Sequence, residues 1–473
     1  MADRLGLKFD GVMEFERALE LRNRMKNEKR FLIILDDIWN DKLKLEDVGI
    51  VFESDQKRCK ILMTSRFERV LGNNMGVDKN FKVDILSEDE ARNWFESIVG
   101  DKFVTTPAFE EYGNKIVKKC GRLPLCIVTA AHSLKNCDKL PLWRNTWRQL
   151  QRSKHDEVVH TAIKLCYDKL RSDEAKQLLL LCSLHEEDVN ISMENLMRYC
   201  VGQINMFKDA YTLQEARDLV YCLVEELKDC CLLLGGDHSD TVKMHDVVRD
   251  VTVSIAKESH DTHCFGDGSE VEKFLEEKKF EDLKAISLPN GYLDELVFDK
   301  SEYTKLQLMI CMRKKYRETI PRGFLDRIKL LRVLVLYPEV SASHLSSLQN
   351  LCTLCLGNFD VKDIAEIGKL KYLEILDLSR SKVEKFPGEI GQLTRLRMLD
   401  LNGCQDLQVI EPNVILHLKR LEELYVDWFV NWHSVDHVDS NGEKSNAGLD
   451  ELKHLDHLTA LHLCFKEGTF PTE

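Results

Sequence analysis

The 473-residue sequence has no apolar run approaching the ~18 residues that a membrane-spanning helix needs. Its opening, Met1 to Lys8, has no continuous apolar core of the kind that directs secretion. Positive charge is not in excess either. There are 67 Lys and Arg against 80 Asp and Glu, a net charge of -13, which disfavours a general binder of phosphate backbones. The 16 cysteines follow no framework spacing: Cys230 and Cys231 are adjacent, and Cys182, Cys222 and Cys355 lie inside apolar runs. That usage predicts reduced, buried thiols and a soluble, intracellular protein. Also missing is any G-x-x-x-x-G-K-[ST]. The one Gly-Lys pair is Gly368-Lys369, followed by Leu370. The loop of backbone amides, lysine and hydroxyl that cradles nucleotide phosphates and anchors Mg²⁺ is therefore absent from these residues.

What remains is ordinary globular material, 44% hydrophobic and 31% charged, long enough for about two to four domains. Phe31 to Leu35 is a five-residue apolar run that ends in Asp36-Asp37-Ile38-Trp39. It reads as a fully buried strand of a parallel sheet whose C-terminal tip opens on a ligand crevice. A carboxylate held there, Asp36, can bind Mg²⁺ directly or through water, and Asp37 can orient or deprotonate a water. Residues 12 to 29 predict a preceding helix with Val12, Phe15, Leu19, Leu21 and Met25 on its apolar face. Cys59 to Met63 predicts a second strand ending in Thr64-Ser65-Arg66. If the two strands are parallel neighbours, Arg66 can reach a terminal phosphate from beside Asp36.

Phe81 to Ile85 alternates like a short strand, and Ser87 with Glu90 forms the capping box of a helix that follows. In Cys120-Gly121-Arg122-Leu123-Pro124-Leu125, Gly121 can end one helix and Pro124 begin the next. From about residue 155 the pattern is helical, with Leu178 to Leu184 and Leu213 to Leu227 as buried and amphipathic helices. Cys231 to Leu234, Gly235-Gly236-Asp237 and Thr241 to Asp246 then read as strand, turn and strand, the wing of a winged-helix module. Residues 160 to 260 hold eleven Lys and Arg against eighteen Asp and Glu, which points to a packing domain rather than a DNA-binding one.

Beyond residue 280 a repeat takes over. Its template, Leu-x-x-Leu-x-Leu, recurs from Leu331, Leu351, Leu373, Leu396, Leu421 and Leu458, with Val426 in the last slot of the fifth unit. One unit cannot bury its own leucines, so neighbours stack into a curved solenoid whose concave strand face is open to a partner. Arg332, Glu374, Asp377, Arg397, Asp400, Glu423 and Tyr425 are candidate contacts there. Weaker signals favour structural explanations. Cys352-x-x-Cys355 sits in variable slots of one repeat strand, and the histidines His433, His437, His454, His457 and His462 are split by an irregular acidic stretch.

The order of Leu35-Asp36-Asp37-Ile38-Trp39, Thr64-Ser65-Arg66, Leu123-Pro124-Leu125, Met244-His245-Asp246 and leucine-rich repeats resembles the plant disease-resistance proteins of the NB-ARC, leucine-rich-repeat family. The resemblance covers nearly the whole chain, and Trp39 is similar to the coiled-coil subclass. It implies a partial P-loop NTPase sheet in a nucleotide-binding domain over residues 1–100, a helical domain over 101–160, a winged-helix domain over 161–265 and repeats over 266–473. It also implies an intracellular immune receptor that switches between ADP and ATP with Mg²⁺. In that scheme Arg66 senses the terminal phosphate, Pro124 lies near the adenine and His245 contacts the β-phosphate. A pathogen effector or guarded host protein would bind the repeats, and activation would bring oligomerisation. Two features depart from the family pattern. Arg122 stands where the family has Gly, and the phosphate loop is missing. The second predicts a truncated or degenerate member that holds nucleotide weakly or not at all, at most a slow regulatory ATPase. The alternative is a nucleotide-independent, repeat-based protein-binding scaffold.

Overall fold

The computed structural model of the protein describes residues 5–7, 13–26, 30–36, 38, 44–50, 59–65, 70–71, 77–154, 157–203, 206–207, 209–259, 262–264, 283–288, 303–311, 322–336, 342–357, 364–427, 432 and 446–464. They fall into two compact units, Met1–Ile85 and Leu86–Glu473. Asp37, Trp39, Arg66, His433 and His437 lie outside the described residues.

In the first unit α1 (Glu14–Lys26) precedes two parallel strands, β1 (Phe31–Leu35) and β2 (Cys59–Met63), paired in register from Phe31 with Cys59 to Leu35 with Met63. Leu21, Met25, Ile33, Leu45 and Ile50 form a small core on one side of this sheet. The sequence reading of β1 as buried on both faces is corrected here. Side chains alternate across a strand, and Leu32 and Ile34 are 59% and 61% exposed on the face away from that core. Phe15 and Leu19 of α1 are exposed as well, so only part of the predicted apolar face packs.

The second unit begins with helices. Phe81–Ile85 just before it forms no strand, because no described segment pairs with it, and Phe81 and Val83 are exposed. Then come α2 (Glu88–Val99), α3 (Lys102–Thr105), α4 (Pro107–Lys119), α5 (Pro124–His132) and α6 (Leu140–Arg152). Ser87 and Glu90 cap α2 reciprocally: the Glu90 N–H donates to Ser87 Oγ at 3.2 Å, and the Ser87 N–H donates to Glu90 Oε2 at 2.8 Å. The helices close on Trp143, with Phe95, Phe103 and Phe109 packed around it edge-on or stacked. Helix α7 (Val158–Asp168) shares its buried side chains between this core and the next, and packs on α5 on one side and on α11 (Asp246–Ser259) on the other.

The next module holds α8 (Asp173–Cys182), β3 (Ile191–Ser192), α9 (Met193–Gly202), α10 (Leu213–Asp229), β4 (Leu234–Gly235), β5 (Thr241–Lys243) and α11. Strands β3, β5 and β4 form a small antiparallel sheet, the wing. His185 is buried in this module beside Tyr199, ring to ring at 6.3 Å, and burial pulls its imidazole down to about 4.

A nine-stranded parallel sheet follows strict chain order from β6 (Thr262–Cys264) through β7 (Ala285–Leu288), β8 (Leu308–Cys311), β9 (Val333–Leu336), β10 (Thr353–Cys355), β11 (Ile375–Asp377), β13 (Met398–Asp400) and β15 (Glu423–Val426) to β16 (Ala460–Leu463). Between them, β12 (Lys385–Phe386) and β14 (Val409–Ile410) pair separately. The leucines of the first five template units line one continuous interior, as stacking demands, while in the sixth Leu458 and Leu463 are only partly buried against it and Leu461 is exposed. The two segments before the regular repeats form strands β7 and β8 of the same sheet. Gly368 belongs to a short 3₁₀ turn in this solenoid, where a Cβ would meet the Glu389 carbonyl oxygen at 2.2 Å. The one Gly-Lys pair is thus a packing element.

Candidate functional site

The parallel pairing of β1 and β2 brings Asp36 beside Thr64 and Ser65. The Thr64 hydroxyl donates to the Asp36 carboxylate. The tips are laced by backbone as well: the Thr64 N–H donates to the Leu35 carbonyl and the Ile38 N–H to the Thr64 carbonyl, both at 2.9 Å, and Ser65 Oγ donates to the Ile38 carbonyl at 2.7 Å. Asp36 is exposed. A magnesium ion takes six oxygen ligands in near-octahedral geometry. Asp36 offers one carboxylate already engaged by a hydroxyl, and among the described residues no cluster of His, Cys, Asp and Glu is arranged to hold a metal. That result includes His454, His457 and His462. Among the described residues the strand tips thus present one carboxylate with a hydroxyl already bonded to it and a second hydroxyl beside it.

Pro124 and His245 each begin a helix in the second unit. Pro124 is at the first position of α5, exposed, with Leu123 as the extended residue before it. Gly121 and Arg122 both adopt left-handed backbone, φ +63° and +61°. A residue with a Cβ is strained there by about 1 kcal/mol, which is the physical sense of a Gly at the Arg122 position. His245 caps α11: its carbonyl accepts from the Arg249 N–H at 2.9 Å, and its Nδ1 accepts from the Val247 N–H at 3.2 Å. Met244 beside it is buried, so the ring is fixed at an exposed helix start by an anchored neighbour. Helices α5 and α11 both pack on α7.

The strongest electrostatics lie elsewhere, between the winged-helix module and the concave face of the repeats. Arg198 of α9 is buried and bridges two buried carboxylates, Asp377 on β11 and Asp400 on β13, the latter at 2.8 Å. Those charges sustain its guanidinium against the cost of burial, while burial and the adjacent Asp377 push Asp400 up. Arg217 of α10 joins Glu194 to Glu423 at 2.7 and 2.5 Å. Glu422 accepts the Leu213 N–H at the start of α10 at 2.6 Å, favourable also for the helix dipole, and takes Arg397 Nε at 2.5 Å. Arg332 Nε donates to the Gly202 carbonyl at 2.9 Å, and Thr353 Oγ1 to the Arg198 carbonyl at 2.9 Å.

Apolar contact fills the space between these pairs. Leu308, Ile310, Val333, Val335, Cys355, Ile375 and Met398, all from the solenoid strands, belong to the core of the winged-helix module. Gly202 permits the approach: a Cβ there would stand 2.4 Å from Val333 Cγ2. The expectation of an open concave face is therefore corrected. Arg332, Asp377, Arg397, Asp400 and Glu423 bind α9, α10 or the turn before α10, Glu374 pairs with Arg397, and the Tyr425 hydroxyl donates to Glu423. Sequence reasoning missed the partners Arg198, Arg217 and Glu422. The available signal was the run of apolar residues Val333, Val335, Cys355, Ile375 and Met398 in repeat slots that a solvated inner face leaves polar.

Comparison with known proteins agrees with this architecture. Residues 1–105 match the NB-ARC domain and residues 312–471 match a leucine-rich repeat region. The chain thus carries an NB-ARC match ahead of a leucine-rich repeat region. Its relatives include the disease resistance protein At4g27190 of Arabidopsis thaliana, 30% identical over 94% of this chain and 46% of that protein. The disease resistance protein RFL1 of the same plant is 26% identical over 98% of this chain and 49% of its own length. The chain spans about half the length of such relatives. Among the described residues no helix is long and apolar enough to cross a membrane.

Proposed function

We propose that this chain is the switch-and-sensor part of an intracellular plant immune receptor of the coiled-coil subclass, held at rest by its own winged-helix module on the repeats. The observation that carries the reading is the interlock of Arg198 and Arg217 with Asp377, Asp400 and Glu423, in a chain whose relatives across nearly its whole length are disease resistance proteins. The proposed division is a partial nucleotide-binding domain over 1–100, a helical domain over 101–160, a winged-helix domain over 161–265 and repeats over 266–473. An effector or guarded host protein reaches the solenoid by displacing α9 and α10, or by binding outside their footprint.

Nucleotide is secondary in this form. The class assigns ADP to rest and ATP with Mg²⁺ to activity, with Asp36 for the metal, Asp37 for water, Arg66 for the terminal phosphate, Pro124 for the base and His245 for the β-phosphate. These residues without a phosphate loop bind ADP weakly or not at all. Titration calorimetry of the full chain with ADP is expected to give no heat of tight binding; tight binding would refute this part of the reading. The interlock is tested separately by charge reversal, Glu423→Arg, restored by Arg217→Glu in the same chain. The single variant is expected to lower the thermal unfolding midpoint and the double variant to recover part of it. Identical midpoints for all three would end the proposal of a self-restrained solenoid.

A further inference from the structure

Three helix ends converge at a place that the interlock and the nucleotide residues leave unused. Helix α5 ends at His132, α7 carries Cys166 just before its last turn closes, and α10 stops at Cys230, whose N–H donates to the Glu226 and Lys228 carbonyls. Cys166 Sγ donates to the Cys230 carbonyl at 3.9 Å across 64 residues of sequence. The Cys166 thiol and the His132 imidazole both bear on the protonation of Cys230. Cys166 is buried, whereas Cys230 is half-buried and within reach of small solutes. The charged and titratable neighbours are Glu226 near Cys230 and Asp229 near Cys231. The pair divides its proton unequally. Cys166 first, then His132, holds Cys230 down at about 5 against burial and Glu226, and Cys230 in turn pushes Cys166 up.

We propose that Cys230 and Cys166 form a peroxide-sensitive thiol pair, Cys230 attacking and Cys166 resolving. The Cys230 thiolate attacks hydrogen peroxide; an S–O bond forms, the O–O bond breaks, and the departing hydroxide takes a proton to become water. Cys230 is thereby oxidised by two electrons to the sulfenic acid. The Cys166 sulfur then attacks that sulfur, the S–S bond forms, and hydroxide leaves with the Cys166 proton as a second water. Peroxide is reduced, and the two thiols end as a disulfide that ties α7 to the end of α10. The new bond withdraws Cys230 from His132 on α5. It also acts on the helix whose other end is held by Glu422, so oxidation reports to the interlock along α10.

The test uses the full chain and dilute hydrogen peroxide, followed by alkylation and peptide mass mapping. Cys222, an exposed thiol on the same helix, is the internal control. At pH 6 the untreated protein is expected to alkylate at Cys230 at least ~10-fold faster than at Cys222, as follows for a thiol that is already thiolate at that pH. Peroxide is expected to yield a Cys166–Cys230 linked peptide. In Cys166→Ser a sulfenic acid is expected to persist at Cys230 and to be trapped by dimedone, and in His132→Gln the rate advantage at pH 6 shrinks. Faster alkylation of Cys222, a Cys230–Cys231 linkage in place of the Cys166 one, or no linkage after peroxide would each overturn the proposal. The alkylation ratio needs no variant, so it stands even if a substitution prevents folding.

Discussion

Strands β1 and β11 look alike in sequence, a few apolar residues closed by an aspartate, and the structure treats them in opposite ways. In the first, Leu32 and Ile34 keep more than half of their surface in solvent while Ile33 is buried. In the second, Ile375 and Leu376 point to opposite faces and neither retains any exposed surface, because the solenoid interior takes one and the winged-helix module the other. A parallel strand is apolar on both faces only because it expects two layers. The repeats have both within the described residues, and β1 has one. The terminal aspartates differ accordingly. Asp36 rests in solvent on a threonine hydroxyl, while Asp377 is enclosed with an arginine.

This contrast gives predictions of graded size. The largest effect belongs to Arg198→Ala, which strands Asp377 and Asp400 as buried charges and is expected to cost about 3–5 kcal/mol, read as a lowered thermal unfolding midpoint. Next is pH. His185 stays neutral when folded, down to about 4, whereas an unfolded histidine takes its proton near 6.5. The unfolded state binds more protons in that window, so the stability contribution is complete above pH 6.5 and falls by about 1.4 kcal/mol per unit as pH drops toward 4. His185→Phe is expected to flatten the slope of midpoint against pH. A smaller loss, about 1–3 kcal/mol, is expected for Gly202→Ala, since the new methyl must displace Val333 or move α9 off the sheet. Arg122→Gly is expected to stabilise by about 0.5–1 kcal/mol by relieving the left-handed backbone. The smallest is Ile34→Ser, within about 0.5 kcal/mol for an exposed site. If Ile34→Ser cost as much as Arg198→Ala, the contrast between the two strands would fail.

Local features were legible in the sequence because their causes are local. The Leu-x-x-Leu-x-Leu units, the Ser87–Glu90 box and Pro124 at a helix start each depend on residues a few positions apart and appear where the pattern puts them, whereas the wing strands are shorter than read, Leu234–Gly235 and Thr241–Lys243, with Asp246 already in a helix. The parallel pairing that sets Asp36 beside Thr64 followed from two apolar strands in succession. What the pattern could not supply was partnership at long range. Arg198 meets Asp377 across 179 residues, and Arg217 meets Glu423 across 206. No periodicity encodes which charged side chain will find which. For the same reason the inner face of the repeats read as vacant, and the two cysteines of α7 and α10 read merely as buried thiols.

One further consequence follows from the order of the long sheet. Helix α11, capped by His245, ends at Ser259, and β6 opens the nine strands at Thr262. From there each strand hydrogen-bonds to the next in chain order. The helix capped by His245 is therefore followed within two residues of sequence by the first strand of the solenoid. Helix α11 also packs against β6, so the element that presents His245 and the first rung of the ladder share one interface.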